Sequence, residues 1–116
     1  MAIIATYQYI IYRADTDSRF IDFFEDEAKQ VPFALADFPE WKMEVRRDSV
    51  AAPVITLQLG AGLSISNINR MTFTISKTLA EAKAGNYLFD LEGNDPSGAR
   101  ETILEGDFII QQDITT

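Results

Sequence analysis

The chain of 116 residues has no cysteine and no histidine. The first absence excludes a disulfide framework, a thiolate nucleophile and a zinc site built on sulfur. The second removes the side chain that most often moves protons near neutral pH, and the commonest metal ligand. Ser49, Ser64, Ser66, Ser76 and Ser97 therefore have no histidine base, and none lies in a nucleophile-elbow pattern. Gly60-Ala61-Gly62 lacks the lysine and the following helix of a phosphate loop. Glu25, Asp26 and Glu27 form an acidic knot with no opposing group across a cleft, so they read as a solvated loop rather than a glycosidase pair. The expectation is a protein that is not an enzyme, with no catalytic residues, no cofactor and no metal.

Positive charge is also in short supply. Ten basic residues face 18 acidic ones, for a net charge of −8. That sign repels phosphate backbones and argues against a nucleic-acid partner. No apolar run approaches the roughly 20 residues of a membrane span, so no membrane partner is expected. The opening Met1-Ala2-Ile3-Ile4-Ala5-Thr6-Tyr7 has neither a basic segment nor a cleavage site. No signal peptide is expected, and synthesis in a cytoplasm is.

What is present is a globular composition, 47% hydrophobic. The length suits a single domain, residues 1–116, able to bury a core without a staple. Alternation dominates the pattern. Residues 3–13 read as a strand apolar on both faces, with Tyr7, Tyr9 and Ile11 on one and Gln8, Ile10 and Tyr12 on the other, covered either by the domain's own loops or by a neighbouring chain. Arg19 to Phe24 reads as a second strand. Val31 to Pro39 is apolar but interrupted by two prolines, so it reads as a loop across one end of the core. Glu40 to Arg47 alternates cleanly, with Trp41, Met43 and Val45 on one side. Val54 to Leu59, a short Leu63-Ser64-Ile65 and Met71 to Ile75 follow. Thr78 and Glu81 have capping-box spacing and Gly85 follows, which predicts a short helical turn near residues 78–84. Tyr87, Phe89 and Leu91 alternate next. Asp90 to Gly98 reads as a turn. Arg100 to Leu104 and Phe108 to Ile114 read as strands around Glu105-Gly106-Asp107. The sum is an all-β, immunoglobulin-like antiparallel β-sandwich of about eight strands.

Two features carry weight beyond periodicity. Tyr87 and Phe89 stand where an immunoglobulin domain has its corner tyrosine and its second cysteine, and Trp41 is the candidate for the central tryptophan packed beneath. Trp41, Met43, Val45, Phe73, Tyr87 and Phe89 form the expected core. Asp90, Glu92, Asn94 and Asp95 bunch together, but the twelve-residue calcium pattern is missing and such residues are natural in turns.

From Met71 to Thr116 the chain resembles phage and prophage virion proteins that carry small immunoglobulin-like domains in baseplate and tail-fibre adaptor components. The shared pattern falls on Gly85, Tyr87, Asp90, Leu91, Gly98, Gly106, Ile114 and Thr115. Trp41-Lys42-Met43-Glu44-Val45-Arg46 is similar to an earlier strand of such proteins. The resemblance implies a virion location and a structural part at a tail, baseplate or fibre attachment, acting as an adaptor or accessory subunit. Partners would be other virion proteins or copies of the chain itself. The two-sided strand and the Phe108–Ile114 edge are the expected contact surfaces, placing Ile3, Tyr7, Tyr9, Tyr12, Phe108, Ile110 and Ile114 at the interface. The alternative is a module binding carbohydrate or a host surface, with Tyr7, Tyr9, Tyr12 or Phe33 stacking on sugar rings.

Overall fold

Alternating burial is what turns this sequence into sheet. In a computed structural model, which describes residues 5–26, 28–77, 79 and 82–112, nine strands follow one another among the described residues, with a 3₁₀ turn between the third and fourth. They are β1 (Ala5–Thr6), β2 (Tyr9–Tyr12), β3 (Asp17–Asp22), β4 (Glu40–Arg46), β5 (Pro53–Leu59), β6 (Gly62–Ser66), β7 (Arg70–Ile75), β8 (Gly85–Asn94) and β9 (Arg100–Gln111); the 3₁₀ turn is Leu35–Asp37. One layer runs β5-β4-β8-β9, with β1 and β2 side by side in sequence along the far edge of β9. The other layer runs β6-β7-β3. The layers meet where Gln58 and Leu59 pair with Gly62 and Leu63. This is the strand order of an immunoglobulin-like sandwich.

Inward residues fill the space between the layers. Trp41, Met43 and Val45 from β4, Ile55 and Leu57 from β5, Met71, Phe73 and Ile75 from β7, and Tyr87, Phe89 and Leu91 from β8 are all buried. The aromatic rings divide into two groups. Tyr9 stacks on Phe108, 4.9 Å between centroids, and meets Phe73 and Phe89 edge-on. Trp41 belongs to the other group, with Phe33 and Phe38. It does not lie beneath Tyr87 and Phe89. β4 pairs Val45, not Trp41, with Phe89, and Trp41 stands opposite Gly93. The indole lies over that glycine, where a Cβ would fall 2.8 Å from the ring. Its Nε1 donates to the Leu35 carbonyl at 2.9 Å, tying the proline-broken loop to the core. The loop expected across one end of the core is therefore the lid over Trp41.

The sheet is not purely antiparallel. β1 and β2 run parallel to β9, with Tyr9 to Tyr12 opposite Phe108 to Gln111. This N-terminal strand is broken at Tyr7-Gln8. The cause is β9 itself. Gly106 sits under the Tyr7 peptide, and a Cβ there would be 2.1 Å from the Tyr7 carbonyl oxygen. β9 is one continuous strand and not two around a pivot. It absorbs Ile103 as an extra residue, since Leu91 pairs with Leu104 but Glu92 with Thr102. That bulge lets consecutive Ile103 and Leu104 both face the core.

Other expectations shift as well. Asp90, Glu92 and Asn94 lie on β8, so the turn is only Asp95 to Ala99, closed by Asp95 accepting from the amides of Ser97 and Ala99. Thr78 and Glu81 of the expected helical turn fall outside the described residues. What surrounds them is a tight turn in which Ser76 Oγ accepts from the Leu79 amide, and Gly85 opens β8 rather than ending a helix.

The Gly106 contact is backbone on backbone, so no rotamer change relieves it. Gly106→Ala should lower stability by about 3 kcal/mol, the upper range for overpacking. Thermal melting and hydrogen exchange would read it, with lost protection centred on Tyr9 to Tyr12. An unchanged melting temperature would refute the role given to this glycine.

Candidate functional site

The residues expected at an interface are mostly spent on folding. Tyr9, Phe108 and Ile110 are buried in the chain's own core, so they are not available to a neighbour. The reason is the parallel pairing: β2 covers the edge of β9 that the Phe108–Ile114 reading left open. Tyr7 is half-buried, packs against the core and accepts from Arg19. Only Tyr12, 53% exposed, remains a large surface side chain. Ile3 and Ile114 lie outside the described residues. Of the rings proposed to stack on sugars, Tyr9 and Phe33 are buried, which removes the aromatic platform that reading needs. The six core residues, Trp41, Met43, Val45, Phe73, Tyr87 and Phe89, are all buried.

Tyr87 holds the crossover from β7 to β8. Its hydroxyl donates to the Lys83 carbonyl, back across the turn, which is the tyrosine-corner bond. The Arg47 guanidinium lies 5.5 Å from its ring centre on the side facing solvent. Tyr87 is thus structural, and the chemistry of the surface has to be sought elsewhere.

It lies on the outer face of the β5-β4-β8-β9 layer. Strand register places outward side chains in rows. One row is Asp107, Leu88 and Arg46; the next is Glu105, Asp90, Glu44 and Thr56; the third is Thr102, Glu92, Lys42 and Gln58. A shallow groove of about 650 Å³ follows the first two rows. Three carboxylates stand directly opposite one another across β9, β8 and β4, an arrangement that costs stability where unlike charges would add it.

The neighbouring cations are unevenly shared. Arg46 Nη2 donates to Glu44 at 2.6 Å, and Lys42 Nζ lies 3.9 Å from Glu44 and 4.0 Å from Glu92. Arg100 approaches Glu92 at 3.7 Å. Asp90, in the middle, has no cation within ion-pair distance among the described residues. Burial raises its pKa above the ordinary aspartate range, and the charges of Glu92, Glu44 and Glu105 add to the rise against the pull of Arg46. No group of three or more carboxylates is placed to hold a metal ion among the described residues. Six carboxylates line the groove against two cations, Arg46 and Arg100, with Leu88 exposed beside them, and this excess of acceptors fits a cationic or hydrogen-donating surface.

Sequence reading missed this row. It took Asp90 and Glu92 as turn residues, and register between strands 46 residues apart is not legible from either one alone. The available signal was the alternation Leu88-Asp90-Glu92 against Tyr87-Phe89-Leu91.

A raised folded-state pKa means the folded chain holds the Asp90 proton more tightly than the unfolded chain. Its contribution is fully present below the unfolded value and is lost as pH rises through the folded one. At neutral pH the ionised group is a liability. Asp90→Asn should therefore raise the melting temperature at pH 7 by about 2–4 °C, on the order of 0.5–1 kcal/mol. The gain should shrink in high salt and vanish as pH falls into the carboxylate range. Asp22 and Asp95 act in the other direction, their pKa values lowered mainly by hydrogen bonds from Arg70 and from Ser97, so what they contribute is lost as pH falls through their folded values. A variant no more stable than wild type at neutral pH would show that the row costs nothing.

No family model matches the chain, and no curated protein matches it. Among solved structures it is similar to a fibronectin(III)-like module of Clostridium thermocellum CbhA, at 9% identity over 96% of this chain and 94% of that one, with a TM-score of 0.47. So loose a superposition carries no argument, and the fold assignment stands on strand order and the tyrosine corner.

Proposed function

We propose that this chain is a non-catalytic assembly module that docks to a larger structure through the outer face of β4, β8 and β9. One observation carries the reading: the row Glu105, Asp90 and Glu44, set in register at the floor of the groove. Folding alone gains nothing from like charges placed side by side, and departures from local pairing rules tend to mark functional surfaces. A partner bringing arginine or lysine to this row would neutralise it and recover the cost. Leu88, 45% exposed at the end of the groove, supplies an apolar contact beside the charges.

The setting comes from the resemblance to virion adaptor domains. In it the chain would be an adaptor or accessory subunit at a tail, baseplate or fibre attachment. Three pattern residues have clear roles here: Tyr87 pins the corner, Gly106 admits Tyr7 and Leu91 fills the core. Each serves folding, so the likeness supports the domain more strongly than the setting.

The double variant Asp90→Asn with Glu105→Gln separates the two uses of this face. It should melt at or above the wild-type temperature yet lose at least about tenfold in affinity for the native partner, roughly 1.4 kcal/mol. Cross-linking of the tagged wild-type chain in the cells that make it, read by mass spectrometry, should recover tail, baseplate or fibre proteins. Retained affinity in the double variant would overturn the docking face. Recovery of unrelated proteins alone would overturn the virion setting.

A further inference from the structure

We infer that two copies of the chain pair through the outer edge of β3, antiparallel and about a two-fold axis at Phe20. β3 ends its layer, bonded on one side to β7. The Phe23 amide donates to the Asn69 carbonyl, which sets the phase of the ladder. Bonded pairs alternate along antiparallel strands, so Asp17, Arg19 and Ile21 bond to β7, while the amides and carbonyls of Ser18, Phe20 and Asp22 face outward. Among the described residues no backbone group bonds to them, because β1 and β2 are committed to β9.

Two other edges are blunted in ways β3 is not. β5 begins with Pro53 and is bulged against β4 at Val45/Arg46. On β2 the Ile10 carbonyl already accepts from Arg19 Nη2 at 2.8 Å. Proline, bulges and buried charge are the usual defences of an exposed strand. β3 has no proline and no bulge, and its three charged residues are paired within the chain, Asp17 with Arg19 and Asp22 with Arg70.

The occupant follows from charge. A chain of net charge −8 repels its own copies, except where charge is locally balanced. Beside β3 it is. Arg70 holds Asp22 through Nε at 2.8 Å and Nη2 at 3.1 Å, and Arg19 holds Asp17 through Nε and Nη2, both at 2.8 Å. Apart from Phe20, the other outward residues here include the hydroxylic Ser18, Thr72, Thr74, Ser64 and Ser66. The register is also self-complementary. With Phe20 opposite Phe20, Ser18 of one copy stands opposite Asp22 of the other and can donate to it. Phe20 is 55% exposed, with the Arg70 guanidinium 3.9 Å above its ring. Pairing would set two such rings together and remove both from water.

Analytical ultracentrifugation of the full chain should show a reversible dimer, and Phe20→Lys should weaken it at least about tenfold while leaving the circular-dichroism spectrum unchanged. Phe20→Cys supplies the chain's only thiol. Directly opposed residues of a bonded antiparallel pair lie about 5.5 Å apart at Cα, within disulfide reach. Mild oxidation should link Phe20→Cys into a covalent dimer at least about tenfold faster than Thr56→Cys, a control on the exposed face of β5. A wild type that stays monomeric at every concentration used, or equal linking by the two cysteine variants, would overturn the inference. Either result leaves the β4-β8-β9 docking face untouched, since that surface belongs to the opposite layer.

Discussion

One guanidinium closes this sandwich on its unstitched side. No strand joins the two layers there: β2 belongs to one, β3 to the other, and Arg19 spans the gap. It donates to both oxygens of Asp17, to the Tyr7 hydroxyl at 3.1 Å and to the Ile10 carbonyl, and its plane lies 4.0 Å from the centre of the Tyr9 ring. A lysine at this position would bring a point charge to a site that uses a planar fork. Beneath it Tyr9 is fully buried, its hydroxyl donating to Asp17, and burial pushes that hydroxyl's pKa well above the ordinary tyrosine range. Without the clamp the same burial would strand a phenol in an apolar core. The stack of Tyr9 on Phe108, and through Phe108 the closing strand, rests on this arrangement.

Gly106 is the counterpart on the other side of the N-terminal strand. Arg19 holds β2 toward β3, while the missing side chain at Gly106 lets Tyr7 settle onto β9. The two constraints together decide that the first strand goes to β9 and leaves β3 uncovered. The architecture of the whole edge follows from one long side chain and one absent one.

Much of this was legible in the sequence. The periodicity of Trp41-Met43-Val45, Met71-Phe73-Ile75 and Tyr87-Phe89-Leu91 gave strands whose inward faces are the buried ones. Gly85-Asn86-Tyr87 gave the corner. These are local patterns, and local patterns survive folding when each strand has one buried face. What failed was non-local. Tyr9 to Tyr12 is apolar on both faces, and periodicity alone cannot say whether the second face meets a neighbouring protein or the same chain. Here Tyr9 and Ile11 face the chain's own core and Tyr12 on the other face stays exposed, while the edge of β2 lies along β9 about a hundred residues away, in a parallel pairing that no turn announces. Phe108 and Ile110 were misread for the same reason. The Glu105-Asp90-Glu44 row was hidden more deeply, since it exists only once three strands are in register.

The two outer faces then differ for a physical reason. On the β3-β7-β6 layer every acidic residue of β3 has an arginine in hydrogen-bond contact, and the remaining outward positions of β3 and β7 carry hydroxyls apart from Phe20. On the β4-β8-β9 layer the cations gather at Glu44 and Glu92 and leave Asp90 and Glu105 without an ion pair among the described residues. Ten basic residues cannot balance 18 acidic ones, so some surface had to keep the excess. Part of it stands in one row, where Asp90 and Glu105 are in register without an ion pair among the described residues, while each acid of β3 is held by an arginine. That division costs the monomer some stability at Asp90, where like charges stand in register across three strands.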